Sequence, residues 1–260
     1  MQLKGKTAFL TGGVGGIGVA FARALLEKGC KVCITDVNAD GGKKLEAELK
    51  QKYQDDVVFM QCDVTCASNM EEVFKTAVVR FGGVDIMLNN AGIMHEGRWE
   101  AMISIMMRGT VIGTNLAIAH MRKDKGGRGG TIINTASCAG IYVYFTTPVY
   151  CAAKSGIVAH TRAWADIPDR EQLGLRFACI CPKPVDTPLM DITRESVNYF
   201  QYEYDVCQQI GRMTTETIAE GLVGLLEDDS SNGAILYISK DEGFARKKIL
   251  VVNESDLKHA

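Results

Sequence analysis

The sequence predicts a single α/β domain spanning residues 1–260, doubly wound, with a seven-stranded parallel sheet and helices on both faces. Three observations carry that reading. Short apolar runs alternate with helix-like stretches from one end of the chain to the other. The apolar runs lack strict polar alternation, as strands covered on both faces do. Seven such runs use up the 260 residues, which leaves no length for a second domain.

Taken in order, Thr7–Leu10 is the first strand-like run, followed by a glycine-rich stretch and the helix-like Ile17–Lys28. Lys31–Thr35 and Gly41–Tyr53 form the second pair, and Val57–Gln61 and Asn69–Phe81 the third. Val84–Leu88 precedes Trp99–Lys123, the longest helix-like segment. Its apolar part, Ala101–Met121, contains Arg108 and several polar residues, so it reads as a packed helix too polar for a membrane span. Thr131–Thr135 leads to Val149–Asp166, Leu175–Cys181 to Thr214–Glu227, and Ala234–Ile238 is the last strand. Two stretches break the rhythm. Lys123–Gly130 is a basic, glycine-rich connector. Pro182–Met213 follows the sixth strand where ligands bind in such sheets, and carries Tyr199, Phe200, Tyr202 and Tyr204. It is a candidate substrate lid, with an ordinary helical excursion as the alternative.

A formal net charge of −2 without clustered Lys or Arg excludes a nucleic-acid or anionic-membrane surface. The first residues have no apolar core of a secretory signal. Nine cysteines lack a disulfide-like rhythm. Cys30 and Cys33 spell C-x-x-C, but no second pair accompanies them, so these thiols read as small hydrophobes in a reduced, cytoplasmic setting. Four histidines without ligand spacing give no metal site.

Two constellations carry chemistry. Thr11-Gly12-Gly13-Val14-Gly15-Gly16-Ile17-Gly18 joins the first strand to the first helix. Glycines there let the backbone turn and approach a pyrophosphate, and the opening helix presents free N–H groups to it. This Rossmann turn singles out Gly12, Gly16, Ile17 and Gly18. Asp36 ends the second strand, where a carboxylate accepts from ribose hydroxyls and repels a 2′-phosphate. Val37 and Asn38 supply no arginine, so the expected cofactor is NAD rather than NADP; the alternative for Asp36 is a helix cap. At the other constellation, Tyr150 and Lys154 share a helix face at i, i+4. The ammonium is expected to lower the phenol's pKa toward working pH. Ser137 follows the fifth strand and reaches the same place if the intervening loop folds back.

These residues resemble the short-chain dehydrogenase/reductase family across essentially the whole chain. The carrying motifs are Thr11 to Gly18, Asn89-Asn90-Ala91-Gly92, Asp63-Val64 after the third strand, and Ser137 followed by Tyr150-x-x-x-Lys154. The resemblance implies Tyr150 as acid or base, Lys154 as its support and nicotinamide-ribose ligand, and Ser137 as the substrate-orienting hydroxyl. It adds Asp63 and Val64 at the adenine, Asn90, Ala91 and Gly92 along the cofactor, and Thr187 at the carboxamide. It also implies a homodimer or homotetramer. Trp99-Glu100, Gly126 to Gly130, Pro148 to Ala152 and Leu226 to Asp229 look like the branch holding 15-hydroxyprostaglandin dehydrogenases and their arthropod alcohol-dehydrogenase-like relatives. The implied reaction is NAD-dependent oxidation of a lipophilic secondary alcohol. The alternatives are a carbonyl reductase on a steroid or terpenoid ketone, and an NAD-binding, storage-like protein with little activity.

The sequence departs from the family at three places. Met106 stands where an Asn supports a water chain to the lysine, and Asn115 is too far along the helix to replace it. Lys183 replaces the glycine of a Pro-Gly pair. Thr146-Thr147 replaces amides in the loop before Tyr150.

Overall fold

The computed structural model describes residues 1–249. Its strands are β1 (Thr7–Thr11), β2 (Lys31–Asp36), β3 (Val57–Gln61), β4 (Ile86–Asn89), β5 (Gly130–Thr135), β6 (Leu175–Pro182), β7 (Ile235–Ser239) and β8 (Gly243–Lys247). They form one sheet in the order β3-β2-β1-β4-β5-β6-β7-β8. Between them lie α1 (Gly16–Glu27), α2 (Ala39–Tyr53), α3 (Ala67–Phe81), α4 (Trp99–Ile103), α5 (Gly109–Met121), α6 (Pro148–Ala165), α7 (Arg170–Leu173), α8 (Phe200–Ile210) and α9 (Thr215–Glu227).

The unbroken apolar strands now have a reason. Along β1 and β2, Ala8, Leu10, Val32 and Ile34 point to one face and pack with Phe21 and Leu25 of α1 and with Leu222 of α9. The residues between them, Phe9 and Cys33, point to the other face and meet Met70 and Phe74 of α3 and Ala117 of α5. Both faces are dry, so neither set can be polar. At β6 the same side of the sheet carries Cys179 and Cys181, which pack with Ala153 and Ile157 of α6. The strand order reverses between β1 and β4, and a crevice at the strands' carboxyl ends follows from that reversal.

The structure corrects the sequence reading in three respects. The sheet has eight strands, not seven, and β8 runs antiparallel to β7. Its residues are largely exposed at the edge, so Gly243–Lys247 has no apolar run to betray it. The long central helix is not uniform: one π-helical turn, Ser104–Arg108, separates α4 from α5. Polarity does not disqualify this helix from crossing a membrane, because Glu96–Met121 is long and apolar enough, with mean hydropathy 1.4 in its most apolar window. Its apolar residues instead pack on α3, β4 and α6.

All nine cysteines are free. Burial pushes the Cys30 and Cys62 thiols up to about 12 and raises Cys33 as well, so the C-x-x-C pair is a pair of inert small hydrophobes.

Candidate active site

A cavity of about 310 Å³ is lined by residues at the carboxyl ends of β1, β2, β4, β5 and β6, among them Gly12, Asp36, Asn90, Thr135 and Pro182. One end is built from backbone. Gly12 sits at φ +62°, and a Cβ there would lie 2.7 Å from the Ala91 Cα. A Cβ on Gly16 would lie 2.6 Å from Thr187 Cγ2, and one on Gly18 would run into the Gly12 carbonyl. The turn therefore needs glycine for its own packing, and its missing side chains leave the cavity wall to backbone. Asn90 fastens the turn: its Nδ2 donates to the Thr11 and Gly12 carbonyls at 3.1 and 3.0 Å, and the Thr11 hydroxyl accepts from the Asn90 and Ala91 amides. Asp36 accepts from the Val14 amide (3.1 Å) and the Asn38 amide (3.0 Å) and lines the cavity. It does not cap α2; the Asn38 side chain does that, accepting from Gly41.

Gly12, Gly16, Ile17, Gly18, Asp36, Asn90, Gly92, Ser137, Tyr150, Lys154 and Thr187 all lie on the wall of this cavity. Val37, Asp63, Val64 and Ala91 do not. Val37 is exposed, Asp63 accepts from the Thr65 amide and hydroxyl, and Val64 packs by Gly109. Ala91 contributes by closing on Gly12.

Ser137, Tyr150 and Lys154 come together because the loop after β5 folds onto α6. Gly140 makes this possible, since a Cβ there would lie 2.7 Å from the Lys154 carbonyl oxygen. Ser137 Oγ accepts from the Ala139 amide at 3.2 Å and faces the Tyr150 phenol. Lys154 Nζ lies 5.6 Å from the Tyr150 ring centre and donates to the Thr135 carbonyl at 2.8 Å. All three side chains are buried. Burial raises the Tyr150 phenol well above its ordinary value, opposed only in part by Ser137. Burial also lowers Lys154 to about 8. In the structure without cofactor, burial sets the direction at Tyr150, and the Lys154 ammonium is turned to Thr135.

Glu96 escaped the sequence reading. Thr147 looks like the cap of α6, yet its side chain caps nothing and Pro148 has no N–H. The free amides of Val149 and Tyr150 donate instead to the Glu96 carboxylate, at 3.1 and 3.0 Å. An anion on a helix N-terminus stabilises the turn that holds the tyrosine. Its backbone amide also donates to the Ser196 carbonyl of the 182–213 segment. No local pattern marks a cap so distant in sequence.

The far wall comes from that segment. Glu203, Val206, Cys207 and Ile210 share one face of α8 and line the cavity. Tyr199 and Tyr202 instead cluster with Phe145, with ring centres 5.4 and 4.9 Å away, and Tyr204 packs on Phe200, all five off the wall. Met106 is fully buried on the π turn and lines the cavity; together with Lys154 Nζ it closes on Gly92. Asn115 is exposed on α5. Lys183 also lines the cavity, but its ammonium pairs with Asp241 at 2.9 Å, which commits that charge elsewhere. Neither His95 nor His120 reaches the wall, and no metal-ligating cluster exists among the described residues.

The family model of the short chain dehydrogenases matches residues 6–198. The 15-hydroxyprostaglandin dehydrogenase (NAD(+)) of Mus musculus is 40% identical over 250 residues, 94% of this chain and 93% of that protein. The enzyme of the same name from Homo sapiens is 39% identical over 250 residues, 94% of each chain. Among solved structures, a 3-ketoacyl-(acyl-carrier-protein) reductase from Brucella melitensis complexed with NADH aligns with a TM-score of 0.78 at 24% identity, over 91% of this chain and 98% of that one. The last likeness speaks to the fold.

Proposed function

Because the chain belongs to the short-chain dehydrogenase family, we propose that it is an NAD-dependent oxidoreductase that oxidises a lipophilic secondary alcohol to a ketone. One observation supports this most: Ser137, Tyr150 and Lys154 share a cavity wall with the glycine turn and Asp36.

The residues fit a dinucleotide. Gly12, Gly16, Ile17 and Gly18 would hold its pyrophosphate on exposed backbone and the start of α1. Asp36 would take the adenosine ribose and repel a 2′-phosphate, with Val37 beside it. Asp63 and Val64 would meet the adenine; the Cys62 amide, one residue earlier, already donates to the Asp36 carbonyl at 2.9 Å. Asn90, Ala91 and Gly92 would line the middle, and Thr187 the carboxamide. Bound NAD supplies the hydride acceptor. Ser137 Oγ would hold the substrate hydroxyl, Tyr150 as the phenolate would take its proton and become the phenol, and the Lys154 ammonium would stabilise that phenolate before the transfer and bind the nicotinamide ribose. Walls of Met94, Met106, Met190, Val206 and Ile210 select an apolar body.

Carbonyl reduction is a second reading, and burial of Tyr150 favours it, since a protonated phenol is the state reduction consumes. The family's pairing through long helices carries over as a homodimer or homotetramer, and nine free thiols fit a cytoplasmic setting.

Absorbance at 340 nm, with NAD and secondary alcohols or with NADH and ketones, tests the reading. Turnover that vanishes in Tyr150→Phe is expected. Tight NAD binding without turnover in either direction would leave the storage-like alternative.

A further inference from the structure

The substrate wall carries one charge that the reaction does not use. Glu203 lines the cavity from α8 among Val206, Ile210 and Met190. Its carboxylate is held in place: Oε2 accepts from the buried Thr146 hydroxyl at 2.5 Å and Oε1 from the Cys207 thiol at 3.6 Å. Among the described residues no cation forms an ion pair with it, and several of the cations around this segment are held elsewhere. Lys183 pairs with Asp241, Arg212 with Asp186 and Asp191, and Arg194 lies over the Phe200 ring. Lys154 donates to Thr135. The negative field is felt next door: the Cys207 thiol is pushed up to about 11, by burial first and then by Glu203.

A carboxylate fixed in an apolar wall acts through a lower effective dielectric than one in water, so it discriminates strongly between charges brought near it. We infer that Glu203 sets the polarity of the substrate's far end, so that the cavity admits alcohols whose distal end is a hydrogen-bond donor and turns away those ending in a carboxylate. A hydroxyl or ammonium there gains an acceptor already oriented by Thr146. A second carboxylate meets a fixed anion and loses its water. The departure at Thr146 matters for the same reason, since that hydroxyl is what fixes the charge against the wall.

This inference rests on the dehydrogenase reading above, and the test separates the two. A matched series of secondary alcohols would differ only in a terminal methyl, hydroxyl, ammonium or carboxylate. Each would be followed by turnover with NAD and, independently, by calorimetric binding to the protein loaded with NADH. The wild-type protein should disfavour the carboxylate against the methyl by roughly 10- to 100-fold. Glu203→Gln keeps the size of the side chain and an acceptor for Thr146, and should remove most of that ratio through KM rather than kcat. Thr146→Val should relax it partly. Discrimination in binding with no turnover would sink the dehydrogenase reading and leave this one standing. A carboxylate-to-methyl ratio near one in the wild type, an unchanged ratio in Glu203→Gln, or binding of none of the alcohols would overturn it.

Discussion

At one end of the cavity the wall is backbone: Gly12, Gly16 and Gly18 approach so closely that a methyl group would strike Ala91, Thr187 or the Gly12 carbonyl. At the other end it is side chains drawn from separate segments, among them Met94 and Met106 and, from α8, Glu203, Val206 and Ile210. The contrast explains why one half could be read from sequence and the other could not. Where backbone must come close to a ligand, only one residue type serves, and its spacing is a signature. Where side chains make the surface, many types serve, and which of them face inward depends on loops whose course the sequence leaves open.

Substitutions at the two ends should therefore fail differently. The largest effect is expected at Tyr150→Phe, with kcat falling about 10²- to 10⁴-fold and NAD affinity kept; titration calorimetry beside the 340 nm assay separates the two. Gly12→Ala should do the reverse, costing about 100-fold in NAD affinity, because its Cβ has both a positive φ and a backbone atom at 2.7 Å against it. An unaltered affinity would mean the turn is not the pyrophosphate cradle.

The third expectation concerns stability. Burial lowers Lys154 from 10.5 to about 8, so the native state holds its proton less tightly than the unfolded chain does. That cost is fully present below pH 8 and fades as pH climbs toward 10.5. Lys154→Met, measured without added NAD, should abolish turnover yet stabilise the fold at pH 7 by about 2 kcal/mol, after allowing for the lost bond to Thr135. The gain should shrink in urea melts at pH 10; a gain independent of pH would refute this account. Glu96→Gln should lower stability by about 1 kcal/mol and kcat/KM modestly, with NAD affinity unchanged, since it weakens the cap under Tyr150. Met106→Asn is the smallest case. A few-fold rise in turnover would show that the buried methionine impairs proton relay, and no rise would remove that idea.

Much of the fold was legible because strands covered on both faces must be apolar, whatever their exact ends. β8 was not, because an exposed edge strand has no such requirement: Phe244 is exposed and Arg246 and Lys247 are charged. The π turn within Ser104–Arg108 leaves no mark in a segment of uniformly helix-forming residues. At the site, Ser137, Tyr150 and Lys154 were found by type and spacing. The depth of their burial was not, because it depends on how the loop after β5 folds onto α6. Lys183 reads in sequence as an obstacle beside the cofactor, but Asp241, 58 residues later, holds its ammonium. The tyrosines of the 182–213 segment were natural candidates for an apolar ligand. Helical phase assigned the wall to their neighbours instead.

The cap on α6 has a consequence in time as well as in space. Tyr150 draws its amide partner from Glu96, 54 residues earlier, and nothing local substitutes for it. Closing so long a loop carries an entropic cost that local helix formation does not. The first turn of this helix is therefore finished only when the middle of the chain has docked against it. A molecule that has formed its helices but not that contact has the right residues in the right order and no oriented phenol. Catalytic competence arrives with the last stage of assembly.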